Sequence, residues 1–160
     1  VLGSRGLGDV YKRQGFLLPC QEQTGEFDMN RIRGVSIDFI DSLNESAKST
    51  YPDEFICLHR EHDGVIDELV MLPGTIFGDS HSVIFDWMDP VDFHRSGSAH
   101  SHPGYSNEAS DDDKDVFGSM GGIHFITCQP YDRHSWRAYN SAGEPIHLDI
   151  LYADGTVADV

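Results

Sequence analysis

The stretch His100-Ser101-His102-Pro103-Gly104-Tyr105-Ser106-Asn107-Glu108-Ala109-Ser110-Asp111-Asp112-Asp113 decides how the rest of the chain is read. Ser96-Gly97-Ser98-Ala99 leads into it as a strand, in which positions two apart project from one face. His100 and His102 therefore point the same way, about two residue rises apart. That is a workable bite for one metal ion. Pro103-Gly104 ends the strand, because proline lacks the N–H a ladder needs and glycine permits a turn. Ser110-Asp111-Asp112-Asp113 reads as a helix start, a hydroxyl N-cap followed by acids that favour the positive end of the helix dipole. A carboxylate in that first turn can face back toward the imidazoles. Two imidazoles and one carboxylate leave a coordination position open, as catalytic rather than structural zinc sites do. Each half alone has an ordinary reading, Ser-x-x-Asp as a capping pattern and His-x-His as a polar strand edge. Joined at this spacing across a Pro-Gly break, they point to a metal centre.

Around this stretch, 160 residues suit one domain with one core. Lys and Arg number 11 against 27 Asp and Glu, a net charge of −16. Such acidity repels nucleic acid and anionic membranes, so neither is expected as a partner. No apolar run approaches the roughly 20 residues that span a bilayer. Cys20, Cys57 and Cys128 form an odd set without motif spacing, which argues against a disulfide framework and for a reducing, cytoplasmic setting. Nothing in the sequence speaks to oligomeric state.

Residues 4–14 back-translate to a widely used transposase sequencing adapter read in frame. Residues 1–14 are therefore set aside as carrying no biology, and residues 15–28 are read as a leader or read-through before a start at Met29. The domain is expected over residues 29–152, with a frayed acidic tail over 153–160. Residues 32–35 suggest a short strand, and Ile37, Ile40, Leu43 and Ala47 recur at helical spacing up to Pro52. Residues 54–59 and 65–72 read as a hairpin about Asp63-Gly64. Residues 73–74 start a loop, 82–86 offer a strand, and 87–93 an irregular piece or helical turn. After the His100 strand and the Ser110 helix come strand candidates at 123–128, 135–139 and 146–152. The count predicts an α/β domain, a layered mixed sheet of six to eight strands with two flanking helices.

Other histidines receive plainer readings. His59-Arg60-Glu61-His62 has superficial metal spacing but falls in the hairpin, and it is read as surface. His124, between Ile123 and Phe125, is read as a core or edge residue. The acidic run from Asp111 to Asp115 lacks the glycine and distal glutamate of a calcium loop.

The His-Ser-His-Pro and Ser-x-x-Asp pair resembles the signature of the JAMM (JAB1/MPN) metallopeptidases, most closely the short stand-alone archaeal members. Glu54, in Tyr51-Pro52-Asp53-Glu54-Phe55-Ile56, sits where the family has its upstream glutamate. The resemblance runs from about Met29 through Leu151, and includes Leu72-Pro73-Gly74, Asp92-Phe93 and Trp136-Arg137-Ala138-Tyr139. Cys57 departs from it, standing where the family usually has glycine.

The resemblance implies a single cytidine-deaminase-like domain with Zn2+ held by His100, His102 and Asp113. It implies that Glu54 takes a proton from the attacking water and hands it to the leaving amine, and that Ser110 donates a hydrogen bond to the oxyanion. The implied activity is a zinc-dependent isopeptidase acting on ubiquitin-like protein conjugates, at the bond after the modifier's C-terminal glycine. The short interval between Glu54 and His100 leaves little room for long insertions, so an extended Gly-Gly tail is expected along an exposed strand near the metal. Two other classes stay open. One is a non-catalytic docking module of the same fold, against which the full ligand set speaks. The other is a metal-dependent oxygenase using iron on two histidines and one carboxylate, which has no need of the base Glu54.

Overall fold

The computed structural model describes residues 27–72, 75, 78 and 95–160. Expectations for residues 1–14, 15–26, 73–74, 82–86 and 87–93 lie outside the described residues.

Ser36 sets the first helix. It closes β1 (Gly34–Ser36), and its hydroxyl accepts from the Asp38 N–H at 3.2 Å as the N-cap of α1 (Ile37–Thr50). Ile37, Phe39, Ile40, Leu43 and Ala47 form the buried stripe of α1. The helix ends at Tyr51, whose extended backbone (ψ 136°) is what a residue before proline adopts. β2 (Ile56–His62) and β3 (Val65–Val70) follow as the expected hairpin, with Asp63 and Gly64 both at positive φ (51° and 81°), as a two-residue type I′ turn demands.

β4 (Gly97–Ser101), α2 (Asp111–Met120), β5 (Ile123–Thr127), β6 (Trp136–Tyr139), β7 (Pro145–Ile146) and β8 (Ile150–Leu151) complete the α-helices and strands among the described residues, and a 3-10 turn (Met29–Arg31) precedes β1. The strands make one mixed sheet in the order β7-β6-β5-β4-β2-β3-β1-β8. β4 runs parallel to β5, and β1 runs parallel to β3 and β8, while the other pairs are antiparallel. The layered α/β expectation therefore holds.

One expected strand, residues 146–152, divides in two. β7 and β8 occupy opposite edges of the sheet, yet only residues 147–149 join them. That link reaches about 14 Å at full extension. Seven flat strand spacings would need about 34 Å. The sheet must therefore curl until its edges approach each other. The tail also departs from expectation: it folds back as a tight turn rather than fraying. The Tyr152 N–H donates to Thr156, the Ala158 N–H donates to the Ile150 carbonyl, and Ala158 joins the core.

Strand alternation sorts the two faces. Ile123 and Phe125 of β5, with Ala99 of β4, pack under α1 beside Phe39, Ile40 and Leu43. Ile126 instead joins Phe117 of α2 and Tyr139 on the opposite face. Phe39, Ile40, Leu43 and Phe125 are at most 1% exposed, and each such burial contributes about 1.5–3 kcal/mol. At the mouth of the β4–β5 pair, a Cβ on Gly97 would stand 1.7 Å from the Ile123 carbonyl oxygen. Only glycine lets the strands meet there.

His59 corrects the surface reading of the hairpin histidines. It lies far enough before the turn to be covered on both sides by β3 and β4, and alternation aims it at α1. Its ring is fully buried, edge-on to Phe39 and Phe125, with Nε2 2.8 Å from the Ile123 carbonyl. His62, by contrast, is exposed and touches Asp67 at 2.6 Å. His124 is buried as expected, with Nδ1 2.9 Å from the Ser98 hydroxyl and its ring stacked on Phe117.

Burial pushes the His59 and His124 imidazoles down to about 3 and about 4, from the usual 6.5. Below pH 6.5 the unfolded chain binds these protons and the native chain does not. The two rings thus contribute stability that is complete above pH 6.5 and lost as pH falls toward those native values, by up to about 1.4 kcal/mol per pH unit per ring. An NMR titration should find His59 and His124 neutral at pH 5. His62, raised by its hydrogen bond to Asp67, should already be protonated there. A His59 ring titrating near 6.5 would contradict its burial.

Candidate metal centre and active site

β4 carries the first candidate ligand. His100 is its fourth residue, 8% exposed, on the face that also carries Ser98 and looks toward α2. His102 follows just past the strand end, on the same side. Across from them Ser110 caps α2, its oxygen accepting from the Asp113 N–H at 3.1 Å. The Asp113 carboxylate returns the bond, taking the Ser110 N–H at 2.8 Å and the Ser110 hydroxyl at 2.7 Å. This capping box fixes which way Asp113 faces. It faces the histidines.

The three donors form a tight triangle. Nε2 of His100 and Nε2 of His102 are 3.2 Å apart, and they stand 3.1 and 3.4 Å from the two Asp113 oxygens. A tetrahedral ion with bonds of about 2.0–2.1 Å sets its ligand atoms about 3.3 Å apart. The donor set therefore fits one zinc ion with a coordination position to spare, and among the described residues it is the only His/Cys/Asp/Glu group of this kind. Nδ1 of His102 is 3.0 Å from the Ser106 carbonyl. Donating there places the proton on Nδ1 and leaves the Nε2 lone pair toward the metal position. Burial would raise the Asp113 carboxyl, but its contacts with His100 and His102 hold it well below the usual carboxylate range. Burial also acts to lower His102, and the Asp113 hydrogen bond, the Ser106 carbonyl and the charges of Asp113 and Glu54 outweigh it, leaving the ring raised.

Register brings Glu54 to the same place. Ile56 pairs with His100, and the ladder continues through the Ser101 N–H to the Phe55 carbonyl at 2.9 Å. Two residues beyond Ile56, Glu54 thus stands across from His102 on the shared face. The Ser101 hydroxyl reinforces this end by accepting from the Phe55 N–H at 2.9 Å. Glu54, His100, His102, Ser110 and Asp113 line one cleft of about 410 Å³, whose apolar walls include Ile56 and Val116. Cys57 alternates to the opposite face, buried under α1, so its departure from the family glycine is a packing matter. β4 is hydrogen-bonded on both sides, by β2 and β5, and is not an exposed edge.

Sequence reasoning missed the residues that brace the segment between the ligands. The Tyr131 hydroxyl donates to the His102 carbonyl at 2.9 Å, and the Gln129 side-chain amide donates to the Pro103 carbonyl. The Tyr139 hydroxyl donates to the Asn107 carbonyl at 2.7 Å and accepts from the Ala109 N–H. A Gln-Pro-Tyr after a strand is a weak signal, even though Tyr131 is buried. Only the fold places it beside His102.

Fold and site together place one candidate metal centre, among the described residues, on a curled mixed sheet with a glutamate beside it. A curated relative, a "probable metalloprotease" from Haloferax volcanii, is 34% identical over 138 residues, spanning 80% of this chain and 85% of the relative. A solved structure of the JAMM metalloprotease-like zinc site in the proteasome and signalosome aligns with a TM-score of 0.60 at 33% identity, over 75% of this chain and 98% of that one. A JAB1/MPN domain protein from Archaeoglobus fulgidus aligns at 0.58 and 33%, over 74% and 95%. No family model matches the chain. The chain belongs to the JAMM (JAB1/MPN) family of zinc metallopeptidases.

Proposed function

We propose that the chain is an isopeptidase that hydrolyses the bond after the C-terminal glycine of a ubiquitin-like modifier. The observation that carries the catalytic part is the convergence of Glu54, Ser110 and the His100–His102–Asp113 triangle on one cleft. His100, His102 and Asp113 would hold the zinc. When bound there, zinc supplies Lewis acidity, polarising a carbonyl and acidifying water. Glu54, across from His102, takes a proton from the attacking water and delivers it to the departing amine.

Ser110 has two tasks that are compatible. A hydroxyl has one hydrogen and two lone pairs, so its oxygen can keep accepting from the Asp113 N–H while its hydrogen turns toward the oxyanion. The Ser110 N–H keeps its own bond to Asp113 meanwhile, so the ligand stays oriented. Ser110→Ala is expected to lower kcat by about 10²–10³-fold with little change in zinc content. Losing the cap should also cost α2 about 1 kcal/mol. If Ser110→Ala instead lost its zinc with its activity, its role would be ligand orientation alone.

Substrate choice follows from the cleft's shape. Because β4 has no free edge, the modifier's tail crosses the cleft between Glu54 and the first turn of α2, past Ile56 and Val116. A slim Gly-Gly end suits that passage. The proteasome and signalosome setting in which the similar solved structure's zinc site is described supports a protein conjugate as substrate. A cytoplasmic location goes with this reading, and the free, buried Cys57 and Cys128 support it. Among the described residues no helix is long and apolar enough to cross a membrane. The test is to present modifier–lysine conjugates ending in Gly-Gly or in Val-Val, with and without chelator. Gly-Gly conjugates should be cleaved and chelation should stop it. Equal cleavage of both ends would refute the specificity, and cleavage in chelator would refute the chemistry.

A further inference from the structure

The segment from His102 to Ala109 joins the strand-borne ligands to the helix-borne one, and the carbonyls of His102, Pro103 and Gly104 all accept from the loop after β5. The His102 N–H donates to the Thr127 carbonyl at 2.8 Å, and the Gln129 N–H donates to the Gly104 carbonyl at 2.9 Å. With the Tyr131 bond to the His102 carbonyl, both backbone polar groups of His102 are held, the N–H by the last residue of β5 and the carbonyl by the loop that follows it. The loop is itself anchored in the core. Asn44 of α1, 3% exposed, accepts from the Thr127 hydroxyl at 2.6 Å and donates to the Asp132 carbonyl at 2.8 Å. Tyr131 is 4% exposed and holds a left-handed backbone (φ 58°), a conformation that costs a non-glycine residue energy and persists where the surroundings impose it.

We infer that Tyr131 is a positioning residue for the metal centre: through the His102 backbone it fixes the imidazole at the separation from His100 that zinc requires. Three observations meet here. The two Nε2 atoms already lie 3.2 Å apart, the His102 ring is tied at Nδ1 to Ser106 within the same braced segment, and the Tyr131 hydroxyl donates to that segment from a strained, buried position. His102 lies beyond the last residue of β4, so no sheet ladder holds its carbonyl. The loop does what the strand no longer can. Gln129 acts in the same direction one residue on, through the Pro103 carbonyl.

The inference rests on His100, His102 and Asp113 being the zinc ligands, and its test reads that separately. Tyr131→Phe removes only the hydroxyl. Its zinc dissociation constant, measured by competition with a chelating dye, should weaken about 10-fold, the low end of what outer-shell changes cost because the effect passes through backbone. The electronic spectrum of the cobalt-substituted variant should shift, since its bands report ligand geometry, while the metal-free unfolding midpoint stays close to wild type. Gln129→Met, which removes the amide donor at similar volume, should move zinc affinity in the same direction by less. A Tyr131→Phe chain with wild-type affinity and an unshifted cobalt spectrum would overturn the inference alone. So would an affinity loss matched by a lowered metal-free midpoint, which would mark a merely structural role. A wild-type chain that binds no zinc would overturn the ligand assignment and the inference with it.

Discussion

Glu54→Gln is expected to lower kcat by about 10²–10⁴-fold while the protein keeps its zinc and still binds substrate. The change is nearly isosteric, so the ladder that seats residue 54 across from His102 is undisturbed. Glutamine cannot accept the proton of the attacking water, nor return one to the leaving amine. Glu54 is outside the donor triangle, so zinc content should match wild type within error. KM should change little, because the lost interaction acts mainly in the transition state. Activity retained within a few-fold would remove Glu54 from the mechanism. A variant that lost zinc would make it a ligand instead.

Asp113→Asn should abolish activity by a different route. Its amide oxygen can still accept from the Ser110 N–H, so the cap of α2 survives in part and the helix stays folded. The anionic donor to the metal is gone. Zinc affinity should fall by more than the roughly 10–100-fold that outer-shell changes cost. His102→Ala should likewise lose zinc and keep the fold, because the main core lies under α1, on the other face of the sheet. Elemental analysis after dialysis separates these from Glu54→Gln: zinc absent in the ligand variants, present in the base variant. Stoichiometric zinc retained by Asp113→Asn would contradict the triangle.

Much of the centre was legible in sequence because it is built from local rules. The period of a strand fixes that His100 and His102 share a face, and a capping box fixes that Asp113 turns back from the start of a helix. Glu54 was reached by family resemblance, and its physical reason, the β2–β4 register, needs the paired strands. The hairpin at Asp63-Gly64 was readable from its turn chemistry. What escaped was non-local. Residues 146–152 look like one strand, and nothing within them says that the sheet curls and sends the two ends to opposite edges. His59 looked like hairpin surface because its cover comes from α1 and β4, distant in sequence. The acidic tail looked soluble enough to fray, yet Ala158 is small enough to tuck beside Ile150. Tyr131 and Gln129 carry no motif. Their part comes from where the loop after β5 lands.

The central claim is that His100, His102 and Asp113 hold one zinc ion at which the peptidase works. The most direct measurement is anomalous diffraction at the zinc edge from crystals of the purified chain. One peak should appear per chain, about 2.0–2.1 Å from Nε2 of His100, from Nε2 of His102 and from an Asp113 oxygen, with Glu54 beside it but not bound. A zinc peak elsewhere, or iron at full occupancy between these three side chains, would contradict it.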